Sequence, residues 1–201
     1  MVMTMSAAIL AGGASQRFGS PKALHLINGR PMIAVVADRL ALVFDDTLVA
    51  GWPHDQPRPA ALLCYPDKFA GKGALAGIQT ALATAKGDWV FCCGCDMPLL
   101  QQAVIRRIVE SVSDEDILLP VIGGIRQPLH ALYKRHILTS VTQLCNEEGS
   151  SLPLLFGHVR TRHLPETCFQ DIPDYALSFV SIDSHEKLRD HASRLGILCA
   201  G

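Results

Sequence analysis

The chain has no excess of charge of either sign: 18 Lys and Arg stand against 19 Asp and Glu, a formal net charge of -1. That balance excludes a broad basic face for nucleic acid, so any polyanion it binds is expected to be small. Charged residues are 18% and hydrophobic ones 49% of the 201 residues, a composition unlike that of a disordered tail. No apolar run reaches the ~18 residues that spanning a bilayer needs, and residues 1–11 lack the basic start and long apolar core of an export signal. A soluble, cytoplasmic protein with no membrane partner is expected. Seven cysteines form no small-domain disulfide pattern, which fits a reducing compartment. Repeats, low-complexity tracts and linkers are absent, and the length suits one sizeable core, hence a single domain over residues 1–201.

Two familiar phosphate signatures are also missing. There is no G-x-G-x-x-G, and Lys22 follows Pro21 rather than Gly and precedes Ala23 rather than Ser or Thr. What is present is an apolar run, residues 7–11, that breaks at Gly12-Gly13 and is followed by Arg17 and Lys22. Glycines let backbone N–H groups approach an anion, and a helix start beyond them adds unpaired donors. Arg17 and Lys22 supply the formal charge. The segment reads as a strand opening into a phosphate loop of a third kind.

Strand-like runs alternate with helical periodicity through the first two thirds, which predicts βαβ units, a mainly parallel sheet and helices on both faces. Strands are expected at 6–10, 47–50, 61–64, 88–93 and 117–120, and helices from 31, over 74–85 and over 101–112. After Gly123-Gly124 the pattern suggests a mixed sheet, with strands at 128–133 and 158–164 around a helix at 134–145. A strand at 177–182 and a Ser-capped helix at 185–195 close the chain. Ligands bind such sheets at the carboxyl ends of the strands, which places the Gly12 loop, Cys95-Asp96 and Asp183 on one rim.

Asp96 follows the apolar strand and precedes Met97-Pro98, so its carboxylate emerges at a strand end. A carboxylate there suits Mg²⁺, a hard cation usually held by one or two carboxylates plus substrate phosphates; the bland reading is a turn or helix cap. Cys92 and Cys95 have a C-x-x-C spacing, but no matching Cys or His pair lies elsewhere and no His-x-x-x-His occurs, so the thiols are read as core packing. His130 is open to two readings, a contact to substrate or burial against the sheet.

Taken together, Leu10-Ala11-Gly12-Gly13 with Arg17 and Lys22, Gly73-Ala74-Leu75-Ala76-Gly77, Cys95-Asp96-Met97-Pro98 and Pro128-Leu129-His130-Ala131-Leu132-Tyr133 resemble, in order, the motifs of the molybdenum cofactor guanylyltransferase family of MobA-like nucleotidyltransferases. The resemblance runs from Leu10 to about Leu188. It implies a three-layer α/β/α, Rossmann-like fold of the GT-A type with a mainly parallel mixed sheet, its nucleotide-binding part over about 1–120 and its pterin part over about 121–201. It implies transfer of GMP from GTP to molybdopterin with Mg²⁺, and molybdenum-insertion proteins and apo-molybdoenzymes as protein partners. Leu10, Ala11, Gly12 and Gly13 would contact GTP, Lys22 its phosphates, Asp67 the nucleoside and Arg17 the departing pyrophosphate, while Asp96 holds the metal. Four positions depart from the family pattern: Ala74 replaces the Pro of a Gly-Pro, Gly51 replaces an Asn after the second strand, and Ser181 and Asp183 replace two asparagines of the last motif. Asp183 is therefore read as a second metal ligand. A cytidylyltransferase making the cytosine form of the cofactor, or a non-catalytic nucleotide-binding carrier, are the alternative readings.

Overall fold

The computed structural model describes residues 3–12, 22–59 and 62–196. Two strands of small and apolar residues set its centre. In β1 (Met5–Leu10), Ala7 and Ile9 join the core on one side of the sheet, and Ala8 and Leu10 join the core on the other. In β6 (Trp89–Gly94), Trp89, Phe91 and Cys93 alternate with Val90 and Cys92 in the same way. Such two-sided burial is what a strand covered by helices on both faces requires.

Around this pair lie β2 (Leu26–Ile27), β3 (Arg30–Pro31), β4 (Thr47–Ala50), β5 (Leu63–Tyr65), β7 (Ile117–Ile122), β8 (Ile125–Arg126), β9 (His130–Lys134) and β10 (Thr161–Pro165). The main sheet has the order β10-β7-β9-β6-β1-β4-β5, with β8 paired to β7, and β2 and β3 form a separate hairpin. Strands β5, β4, β1 and β6 run parallel; β9 is antiparallel to both β6 and β7. Helices α1 (Met32–Ala41) and α3 (Gln102–Glu110) cover one face, burying Ile33, Val36, Leu40, Val104, Ile105 and Ile108. The other face is covered by α2 (Ala74–Thr84), α4 (Leu138–Asn146) and α5 (Leu152–His158). A last short helix, α6 (His185–Asp190), is capped by Ser184, whose side chain accepts from the Lys187 N–H. The expected three-layer arrangement with a mixed, mainly parallel sheet is the observed one.

Three expectations fail. The segment expected as a strand at 177–182 begins as a 3-10 helix, Tyr175–Phe179, entered through Asp174 at φ +56°. It is tied to the start of α3 rather than to a strand edge: the Gln101 N–H donates to Ser178 Oγ (2.9 Å) and Gln101 Nε2 to the Asp174 carbonyl (2.7 Å). His158 belongs to α5, and the following strand starts only at Thr161. The closing helix stops at Asp190, giving way to turns.

Candidate active site at the carboxyl rim

The strand register assembles the site. Leu10 pairs with Ala50 on one side and with Gly94 on the other, and Ala50 pairs with Tyr65. The residues just beyond these ends, Ala11-Gly12, Gly51, Pro66-Asp67 and Cys95-Asp96, therefore leave the sheet along one rim. Two backbone bonds fix the exits: the Ala11 N–H donates to the Ala50 carbonyl (2.9 Å) and the Cys95 N–H to the Leu10 carbonyl (3.1 Å).

Packing at the rim depends on missing side chains. Gly51 has φ +79°, and a Cβ there would lie 2.8 Å from the Gly12 nitrogen and 2.8 Å from Asp67 Oδ2. A Cβ on Gly12 would also come within 2.8 Å of Asp67 Oδ2. The Asp67 carboxylate thus fills a notch between two backbones, and the Asn found at this place in the family pattern would have no room without a shift. Its other oxygen, Oδ1, accepts from Thr80 Oγ1 of α2 (2.8 Å). Burial pushes the Asp67 carboxyl above its usual range, and the Thr80 hydrogen bond opposes that shift.

Asp96 gathers three segments distant in sequence. Its Oδ2 lies 3.1 Å from Lys22 Nζ and accepts from Ser181 Oγ at 2.7 Å. Its backbone carbonyl accepts from the Ile182 N–H (2.7 Å). Gly94 leaves the space for this side chain, since a Cβ there would fall 2.6 Å from Asp96 Oδ1. Asp183 follows directly and pairs with Lys187 (3.1 Å), whose Nζ also donates to the Ser181 carbonyl (3.2 Å). Burial acts to raise the Asp183 carboxyl, but the Lys187 hydrogen bond and charge, with the Lys22 charge, outweigh it and hold the group below its usual range. The rim thus carries the carboxylates of Asp67, Asp96 and Asp183, the ammonium groups of Lys22 and Lys187, and the hydroxyls of Thr80 and Ser181. Among the described residues, no three His, Cys, Asp or Glu side chains converge as a protein-only metal cage. The oxygen-rich set at Asp96, Ser181 and Asp183 nevertheless fits a hard cation that takes its remaining ligands from water and phosphate.

Leu10, Ala11, Gly12, Lys22, Asp67 and Asp96 thus lie along one rim, and Asp183 adjoins it through Ile182; Gly13 and Arg17 lie outside the described residues. Residues 7–161 match the family model of the MobA-like NTP transferase domain. The chain belongs to that family. Among its MobA-like relatives is a protein of Desulfosudis oleivorans named molybdenum cofactor guanylyltransferase, 33% identical over 90% of each chain. One of the same name from Vibrio vulnificus is 30% identical over 90% of this chain and 91% of its own length. In fold, molybdopterin-guanine dinucleotide biosynthesis protein A of Archaeoglobus fulgidus superposes with a TM-score of 0.82 at 18% identity, covering 96% of this chain and all of that one. The matched region ends before Ser181 and Ile182, so the segment that reaches Asp96 from the C-terminal side is outside it.

Two histidine and cysteine questions are answered by burial. His130 is fully buried, its ring 5.2 Å from Phe91 and 4.4 Å from Phe179, which removes it from contact with a bound substrate. Cys92, Cys93 and Cys95 are buried free thiols; burial pushes Cys95 up to about 12, so it is a poor thiolate at neutral pH. Thr80 was not legible as a site neighbour from motif matching alone. Its signal was helical spacing: Gly77, where a Cβ would meet Leu10 Cδ2 at 2.9 Å, lies three residues earlier on the same face.

Proposed function

We infer that this protein is a molybdenum cofactor guanylyltransferase, transferring GMP from GTP to the terminal phosphate of molybdopterin with release of pyrophosphate. The observation that carries this reading is the meeting of Lys22 and Asp96, 3.1 Å apart, beside the exit of β1 in a MobA-like chain. A phosphate oxygen of molybdopterin attacks the α-phosphorus, the bond from that phosphorus to the bridging oxygen breaks, and the pair of electrons leaves with pyrophosphate. Such a transfer needs in-line positioning and neutralisation of phosphate charge more than a covalent nucleophile. Backbone groups of Leu10 to Gly13 line the triphosphate, and Lys22 turns from Asp96 to the phosphates when nucleotide binds. Arg17 is assigned to the departing pyrophosphate, and Asp67 to the nucleoside. Asp96, with Asp183 beside it, would hold Mg²⁺, which supplies charge neutralisation on the phosphate oxygens. Ser181 and Lys187 keep Asp96 and Asp183 oriented. No described helix is long and apolar enough to cross a membrane, which supports a cytoplasmic location; molybdenum-insertion proteins and apo-molybdoenzymes are the expected protein partners.

Pyrophosphate release measured with each nucleoside triphosphate, molybdopterin and Mg²⁺ tests the reading. GTP-selective release is expected; a CTP preference would make the chain a cytidylyltransferase, and tight binding without turnover a carrier. Lys22→Ala is expected to lower kcat/KM for GTP by roughly 10- to 100-fold, the worth of a charge-assisted hydrogen bond. Unchanged kinetics would remove Lys22 from the site.

A further inference from the structure

We propose that Thr80, on helix α2, is a positioning residue for nucleotide selection: its hydroxyl holds the Asp67 carboxylate in the Gly12–Gly51 notch with one oxygen turned to the nucleoside. This rests on the reading of Asp67 as a nucleoside contact.

The geometry carries it in three steps. Thr80 is only 4% exposed, so its hydroxyl needs a protein partner. In the middle of a helix the usual partner is the carbonyl one turn back, and Thr84 makes that bond, to the Thr80 carbonyl at 2.8 Å. Thr80 instead sends its proton outward, across to Asp67 Oδ1 at 2.8 Å. A hydrogen bond donated to a carboxylate oxygen favours the charged form over the neutral one and restrains the terminal torsion. Oδ2 is then left against Gly12 and Gly51, at the rim where β1 and β4 end. The ligand chemistry suited to a fixed, ionised acceptor of this kind is a paired donor: the N–H groups of a purine edge or the hydroxyls of a ribose. Fixing the acceptor matters because a site built to hydrogen-bond a donor rejects analogues that lack it far better than an apolar pocket does.

The surroundings oppose ionisation, which gives Thr80 something to counteract. Burial raises the Asp67 carboxyl. Of the titratable groups packed nearby, Cys145 of α4 has its thiol raised by burial, opposed next by the Lys72 charge, with the Asp67 charge adding the smallest upward push. No cation is paired with Asp67 among the described residues.

The test compares Thr80→Val, Thr80→Ser and Asp67→Asn. Thr80→Val is expected to raise KM for GTP by about 10-fold with kcat changed less than about 3-fold, the loss of a hydrogen bond to a charged group. It should also move the Asp67 carboxyl titration, followed by carbon NMR of the nucleotide-free protein, to higher pH, and Thr80→Ser should restore both. A Thr80→Val protein that melts lower but keeps the wild-type KM and the wild-type Asp67 titration would overturn the proposal, since a packing role moves stability alone. If Thr80→Val does not fold, Thr80→Ala read against Thr80→Ser makes the same comparison. Should Asp67→Asn leave KM for every nucleotide unchanged, the reading of Asp67 itself fails. Should Asp67→Asn raise KM and Thr80→Val not, only the role of Thr80 fails.

Discussion

Asp96→Asn is expected to lower the rate of pyrophosphate release by roughly 10³-fold at saturating substrates, the scale seen when one preorganised electrostatic group is removed from a transfer site. Asparagine keeps the shape and one acceptor oxygen, so the Ser181 hydroxyl and the Ile182 backbone bond retain their partners. What disappears is the charge that faces Lys22. The two side chains are 22% and 18% exposed, and a partly solvated ion pair contributes about 1 kcal/mol at most. The melting temperature should therefore fall by only roughly 2–4 °C for a chain of this size. Calorimetry alongside single-turnover kinetics separates the two effects. A variant with normal Mg²⁺-dependent turnover would refute the assignment of Asp96 to the metal; one that fails to fold would show the pair to be a structural element.

The second large effect concerns acid stability. Burial lowers His130 to about 3 in the folded protein, from an ordinary value of 6.5, with the nearby Ser178 backbone acting against the shift. Between those values the unfolded chain takes up a proton that the native protein refuses. Stability from this group is thus complete above about pH 6.5 and is lost as pH falls toward 3. At pH 5 the loss amounts to about 2 kcal/mol, a sizeable part of the 5–15 kcal/mol that folded domains usually have. The lowered carboxyls Asp116 and Asp183, with ordinary values near 3.8, lose their contributions only at more acid pH; His25, lowered by burial and the His185 charge, shares the window from 7 to 5, so the His130 share is read as the difference between wild type and a His130 variant. His130→Leu, compatible with the Phe91 and Phe179 rings, should flatten urea-derived stability across that window. Equal slopes for the two proteins would show that His130 does not set the acid limit.

Legibility followed burial. Strand β1 and strand β6 were readable because both faces are covered, and their unbroken apolar runs have no competing helical explanation at that length. The 177–182 segment was misread because Leu177 and Phe179 alternate as in a strand, whereas the left-handed Asp174 before it and the bonds to Gln101 start it as a 3-10 turn. Helix α5 was missed although Pro153 in its first turn is a helix-start residue, since Gly157 weakens the helical pattern. The β2–β3 hairpin was signalled by Asn28-Gly29, both at positive φ, a turn pair whose chemistry outweighs two strands of only two residues. At the site, a cation following a glycine loop gave Lys22, and a carboxylate at the end of an apolar strand gave Asp96. Ser181, the partner of Asp96, and Thr80, the partner of Asp67, come from distant segments whose convergence is a product of tertiary folding, not of local spacing.

The Ile182 bond to the Asp96 carbonyl ties the far end of the polypeptide to the tip of a central strand. Completion of the Asp96 corner must therefore wait until Ser181 and Ile182 have been synthesised, and a nascent chain already holding all eight strands of the main sheet would still lack the hydroxyl that steadies that carboxylate.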